Sequence, residues 1–119
     1  MDVVSRDNAE HYTWGEVCDG WHLLNTPDLS VIQERVPPGA AEVMHYHECA
    51  HQFFFVLSGV ATLQLQGCDV VLQSHQGYSV PPGTAQRLVN RGVEDVHFIV
   101  ISSPKSHGDR VHVDGEKDE

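Results

Sequence analysis

An antiparallel all-β barrel is the fold class this chain predicts, and three observations predict it. Short runs rich in Val, Ile, Leu, Phe and Thr recur along the sequence. Gly, Pro, Asn or Asp punctuate them at intervals of about eight to twelve residues, the rhythm of a sandwich or barrel. No long stretch carries the spacing of an amphipathic helix. With 119 residues, the chain is one domain with room for a single core.

The strands read in order as WHLLN (21–25), LSVIQERV (29–36), EVMHYH (42–47), QFFFVLSG (52–59), VATLQLQ (60–66), DVVLQS (69–74), GYSVP (77–81), QRLVN (86–90) and VHFIVIS (96–102). Between them lie turn formers: Pro37-Pro38-Gly39, Gly59, Gln66 to Asp69, and Pro81-Pro82-Gly83. Each supplies backbone angles or a missing donor that ends a strand. The barrel is therefore expected over 21–103, with an N-terminal arm at 1–20. A C-terminal segment at 104–119 ends in the acidic tail DGEKDE from Asp114.

Seven basic residues face seventeen acidic ones, a formal net charge of −10. Such a field repels nucleic acid and anionic lipid, so neither is an expected partner. Nothing approaches the run of about 18 apolar residues that a membrane helix needs. The polar, acidic N-terminus is unlike a signal peptide, and the odd set Cys18, Cys49 and Cys68 does not make a disulfide framework. A cytoplasmic protein with reduced thiols is expected.

The stretch HYHECAHQ, His45 to Gln52, is the chemically conspicuous one. On a strand, residues two apart share a face, so His45 and His47 project together as a metal would require. A polar strand edge is the plain alternative for such a pair. Residues 48–51 read as a turn. After it, Gln52, Phe54 and Val56 share one face, and His51, Phe53, Phe55 and Leu57 the other. Phe53, Phe54 and Phe55 are expected in core or subunit contact, and Tyr46 points away from the histidines. Farther back, Gln33 and Arg35 alternate with Glu34. If their face lined the barrel, Arg35 could grip an anionic substrate; a surface ion pair is the commoner fate of such a residue. Neither a GxSxG elbow nor a phosphate loop is present.

The segment from Gly39 to Gly59 resembles the first motif of the cupin superfamily. Gly39 is followed by AAEVM, then His45-Tyr46-His47, then ECAH, then Gln52 at the usual Glu position, then FFFVLS and Gly59. A second motif is similar too: Pro81-Pro82-Gly83, two residues, Gln86 at the usual His position, RLV, and Asn90. Its leading Gly is replaced by His75, with Gly77 nearby. The closing SSPKSHGDR, 102–110, also looks like the tail of small single-domain cupins. The resemblance implies a six- to eight-stranded jelly-roll barrel with the motif residues facing inward.

It also implies a divalent transition metal (Zn, Ni, Mn or Fe) held by His45, His47, Gln52 and Gln86. Two imidazoles suit such ions, and the neutral amides leave the site more positive than a carboxylate would. That favours a Lewis acid polarising a carbonyl over iron–oxygen chemistry, so a dioxygenase is the less natural reading. Among similar small cupins are isomerases of unsaturated sugar acids and polyketide cyclases. The expected function is thus a metal-dependent isomerase, cyclase or lyase acting on a small oxygenated metabolite. A non-enzymatic small-ligand or metal sensor stands beside it, because Gln86 replaces a histidine and no general base is evident near the ligands. His51, His75, His97, His22 and Cys49 are expected outside the ligand set. His107, Asp109 and Arg110 are expected to pack on the barrel or on a second subunit of a homodimer.

Overall fold

The computed structural model describes residues 3–106 and 108–113. Within them the chain forms strands and turns without a helix, so no helix is long and apolar enough to cross a membrane. The strands are β1 Glu10–Trp14, β2 Cys18–Asn25, β3 Ser30–Val36, β4 His45–His47, β5 His51–Ser58 and β6 Ala61–Leu65. After these come β7 Cys68–Leu72, β8 Gly77–Val80, β9 Gln86–Val89, β10 Val96–Ser103 and β11 Arg110–His112.

All nine expected strands are present, most trimmed at their ends. The strand expected over 42–47 keeps only its last three residues. Two further strands were not legible. β1 reads as polar loop because its sequence, EHYTW, lacks an apolar alternation. β11 has three residues and is held by pairing Arg110 with His47 and His112 with His45. The segments flanking 21–103 therefore add one strand on each side. His107 and the acidic tail from Asp114 lie outside the described residues.

Two antiparallel sheets face each other, in the orders β1-β2-β3-β10-β5-β8 and β11-β4-β9-β6-β7. Between them lie Val36, Val56, Leu63, Leu88, Val96 and Phe98, each without solvent exposure. The alternation on β10 is strict: Val96, Phe98, Val100 and Ser102 point inward, the residues between them outward. Burial of one such side chain stabilises by about 2–3 kcal/mol, so the period-two pattern fixes the register of the central strands.

Turn residues hold the strands at their ends. Gly59 has a positive φ of 83° and lies so close to the Asp95 carbonyl that a Cβ would clash. Asn90, fully buried, donates to the carbonyls of Val36 and Glu94 and accepts from Gly92 N–H. That one amide satisfies three backbone groups at a sheet end, which accounts for an Asn at the close of the second motif.

Candidate metal centre

The site begins with β4. His45 and His47 are both buried, at 3% and 7% exposure, and their rings meet edge to face at 5.2 Å. Gln86 on β9 is the register partner of His45. Gln52 enters from the opposite sheet on β5, where its register partner is Ser102 of β10. The two sheets thus bring the four residues together across the barrel interior.

Hydrogen bonds fix their orientation. His45 Nδ1 donates to the Val43 carbonyl at 2.8 Å, which leaves Nε2 as the acceptor nitrogen. The Gln52 amide donates to Ser102 Oγ at 3.0 Å, so its Oε1 is directed elsewhere. The Gln86 NH2 group meets both acceptors, 3.3 Å from His45 Nε2 and 3.2 Å from Gln52 Oε1. Gln86 Oε1 is buried without a partner, and so is His47 Nδ1, whose nearest carboxylate is Asp109 at 3.9 Å. Desolvation first, then the neighbouring His45, lowers the His47 pKa to about 4. Neutral imidazole is the form that binds metal, and burial with its neighbour favours that form at His47.

The donor set fits a borderline divalent ion under one condition. No group of three or more His, Cys, Asp or Glu side chains placed for a metal occurs among the described residues. The set must therefore be completed by amide oxygen. Two acceptors converge on the Gln86 amide, and that amide carries an orphaned oxygen. A half-turn of the Gln86 side chain would present Oε1 beside them, an arrangement of lone pairs that a cation would stabilise.

The histidines and Gln52 form one wall of a cavity of about 600 Å³. Its other wall holds groups that the sequence pattern did not single out as functional. Glu34 of β3 accepts a hydrogen bond from Tyr12 of β1 at 2.9 Å. Burial first, then the carboxylate of Glu42, pushes Glu34 up to about 8. Glu42 itself is raised by burial against the pull of Arg110, which lies 3.9 Å away. Burial, and after it Glu34, pushes the Tyr12 phenol upward. The cavity thus holds ionisable acids beside the imidazoles, where none was expected. The signal for Glu34 was present in β3: Ile32 and Val36 flank it at spacing two, so the apolar parity of the strand faces Glu34 inward.

The same parity places Arg35 outside. It binds Asp19 at 2.6 Å and Asp95 at 3.3 Å, a surface ion network and not a grip on a cavity ligand. His51 is exposed and contacts Ser79, and His75 sits exposed in a turn with φ of 65°. His97 alternates outward from buried Phe98. His22 lines the cavity and lies 4.9 Å from the Tyr12 ring. Asp109 packs on the barrel, accepting from Cys49 N–H at 3.0 Å and Ala50 N–H at 2.8 Å.

The fold agrees with what the chain is similar to. The Cupin domain model matches residues 32–102. KdgF from Halomonas sp. superposes with a TM-score of 0.77 at 23% identity, over 85% of this chain and 93% of that one. The polyketide cyclase RemF from Streptomyces resistomycificus gives 0.80 at 19% identity, over 95% and 85%. A cupin-superfamily sugar phosphate isomerase from Silicibacter pomeroyi gives 0.78 at 18% identity, over 96% and 89%. No curated protein matches the chain in sequence. With the Cupin domain matched over most of its length and two antiparallel sheets closed around the motif residues, the chain belongs to the cupin family.

Proposed function

We infer that the cavity is the active site of a metal-dependent enzyme acting on a small oxygenated metabolite, by isomerisation, cyclisation or lyase-type chemistry. The observation that carries this is the convergence of His45 Nε2 and Gln52 Oε1 on the Gln86 amide, at the wall of a cavity that also holds Glu34, Glu42 and Arg110. His45, His47, Gln52 and Gln86 would hold the ion. When bound, a divalent metal supplies a Lewis acid that polarises a carbonyl. The chain's own residues set the stage: Val43 fixes the His45 tautomer, Ser102 aims Gln52, and neutral His47 keeps a lone pair free of protons. Structural likeness to a cyclase and a sugar phosphate isomerase supports the reaction class.

One observation favours a second reading, a non-enzymatic binding protein. As it stands, the Gln86 NH2 group satisfies both His45 and Gln52 without any cation. Elemental analysis of tag-free protein, purified without added metal or chelator, separates the two. The enzyme reading expects near one equivalent of a transition metal, lost in a His45→Ala, His47→Ala double variant. Protein that stays empty when offered Zn, Ni, Mn and Fe would end the metal-dependent reading in favour of the binder.

A further inference from the structure

Three neighbouring strands place one row of residues across the cavity wall. Tyr12 on β1 is the register partner of Gly20 on β2, and Gly20 is the partner of Glu34 on β3. Because Gly20 has no side chain, the Tyr12 ring lies over it; a Cβ there would run into the ring. The phenol thereby reaches past an entire strand and donates to Glu34 Oε2 at 2.9 Å. Among the described residues this is the one hydrogen bond given to the Glu34 carboxyl, and Glu34 lines the cavity. A half-buried carboxyl held through one oxygen keeps the other for a ligand.

We propose that Glu34 is the proton-transfer residue of the cavity, acting on carbon next to the carbonyl of a small substrate, with Tyr12 holding its carboxyl in place. This rests on the reading of the cavity as a reaction site. The step balances without a co-reactant. The Glu34 carboxylate takes the proton from the carbon; the C–H electron pair forms the enolate double bond and the carbonyl pair moves onto oxygen. The protonated carboxyl then returns a proton to carbon, which re-forms the carbonyl. Such reversible enolisation is the common step of isomerisation and of many cyclisations and eliminations.

The surroundings fit that role. Glu10 and Tyr12 come from β1, His22 from β2, Glu42 from the segment before β4, Lys105 from the segment after β10, and Arg110 from β11. Burial first, and then Glu42, oppose ionisation of Glu34, while the Tyr12 bond and Arg110 favour it. The balance leaves Glu34 near neutrality, where a group can both accept and return a proton. Independently, His47 is nine-tenths buried, lines the same cavity and has no hydrogen-bond partner on Nδ1. An unmet buried donor or acceptor beside a cavity points to a ligand.

The test is deuterium wash-in, followed by proton NMR in D2O, with pyruvate and dihydroxyacetone as the anionic and neutral probes. Metal-loaded protein is expected to speed exchange of at least one probe. Glu34→Gln should slow it by about 100-fold or more with metal content and circular dichroism unchanged. Tyr12→Phe, which keeps the ring over Gly20, should slow it less. Glu42→Gln removes a negative neighbour, so the rising limb of the pH–rate profile should move to lower pH. Exchange in Glu34→Gln as fast as in the parent overturns the proposal, as does a parent protein that exchanges neither probe. Glu34-dependent exchange in protein that binds no metal supports Glu34 while removing the metal from the function. Bound metal with exchange indifferent to Glu34 does the reverse.

Discussion

At the scale of single residues, two substitutions test the chemistry of the cavity from opposite walls. Glu34 is raised from 4.5 to about 8, so the native state keeps a proton that the unfolded chain gives up. Its contribution to stability is fully present below pH 4.5 and is lost as pH rises toward 8. Glu34→Gln removes that slope and relieves Glu42 of a like charge. The urea midpoint of Glu34→Gln should therefore gain on the parent as pH rises from about 5 to about 8. A constant difference across that range would mean that Glu34 is not raised. On the other wall, Gln86→His replaces an amide with an imidazole next to His45 and Gln52. Zn or Ni affinity, measured by calorimetry, should rise by about tenfold or more, and unchanged affinity would place Gln86 outside the metal site. That His45, His47, Gln52 and Gln86 meet was legible only through the resemblance of two separate motifs, since Gln86 lies 34 residues beyond Gln52. Glu34 was less legible, because a carboxylate beside Arg35 reads as half of a surface ion pair, although its apolar neighbours at spacing two face it inward. Tyr12 and Gly20 were not legible at all, since their meaning lies in a row across three strands.

At the scale of elements, the link between β11 and the histidine strand carries the most weight. The Asp109 carboxylate accepts from two backbone N–H groups of the turn after β4, and its carbonyl accepts from Glu48 N–H at 3.2 Å. Arg110 then pairs with His47 in register. One carboxylate thus anchors the turn that leads from the histidines to Gln52. Asp109→Ala leaves the Ala50 N–H buried and unpaired and should cost about 2–3 kcal/mol, read as a lower denaturant midpoint with unchanged slope. Loss of under about 0.5 kcal/mol would mean that water replaces the carboxylate freely. The central strands were legible because their inward positions are apolar. β11 was not, because three residues cannot show a period, and its stability comes from β4 and not from its own sequence.

At the scale of the molecule, the barrel is a shell built by the middle of the chain, and its cavity is finished by the two flanks. The imidazoles and Gln52 come from β4 and β5, whereas Tyr12 and Trp14 come from β1 and Arg110 from β11. The antiparallel all-β class was readable from strand rhythm alone. The division between shell and flanks was not, because it depends on which edges the first and last strands cover: β1 closes one end of the larger sheet, and β11 one end of the smaller.

The pairing of β11 with β4 has a consequence for the order in which the protein is made. His45 and His47 have left the ribosome long before Arg110 to His112 are joined to the chain. Until those last residues emerge, the histidine strand has an uncovered edge, and the turn behind it lacks its carboxylate anchor. Before β10 is made, the larger sheet exists only as two separate pieces, β1-β2-β3 and β5-β8, and the histidine strand gains its cover only when residue 112 follows. The cavity wall proposed to hold a metal is therefore complete only in a chain made at least that far.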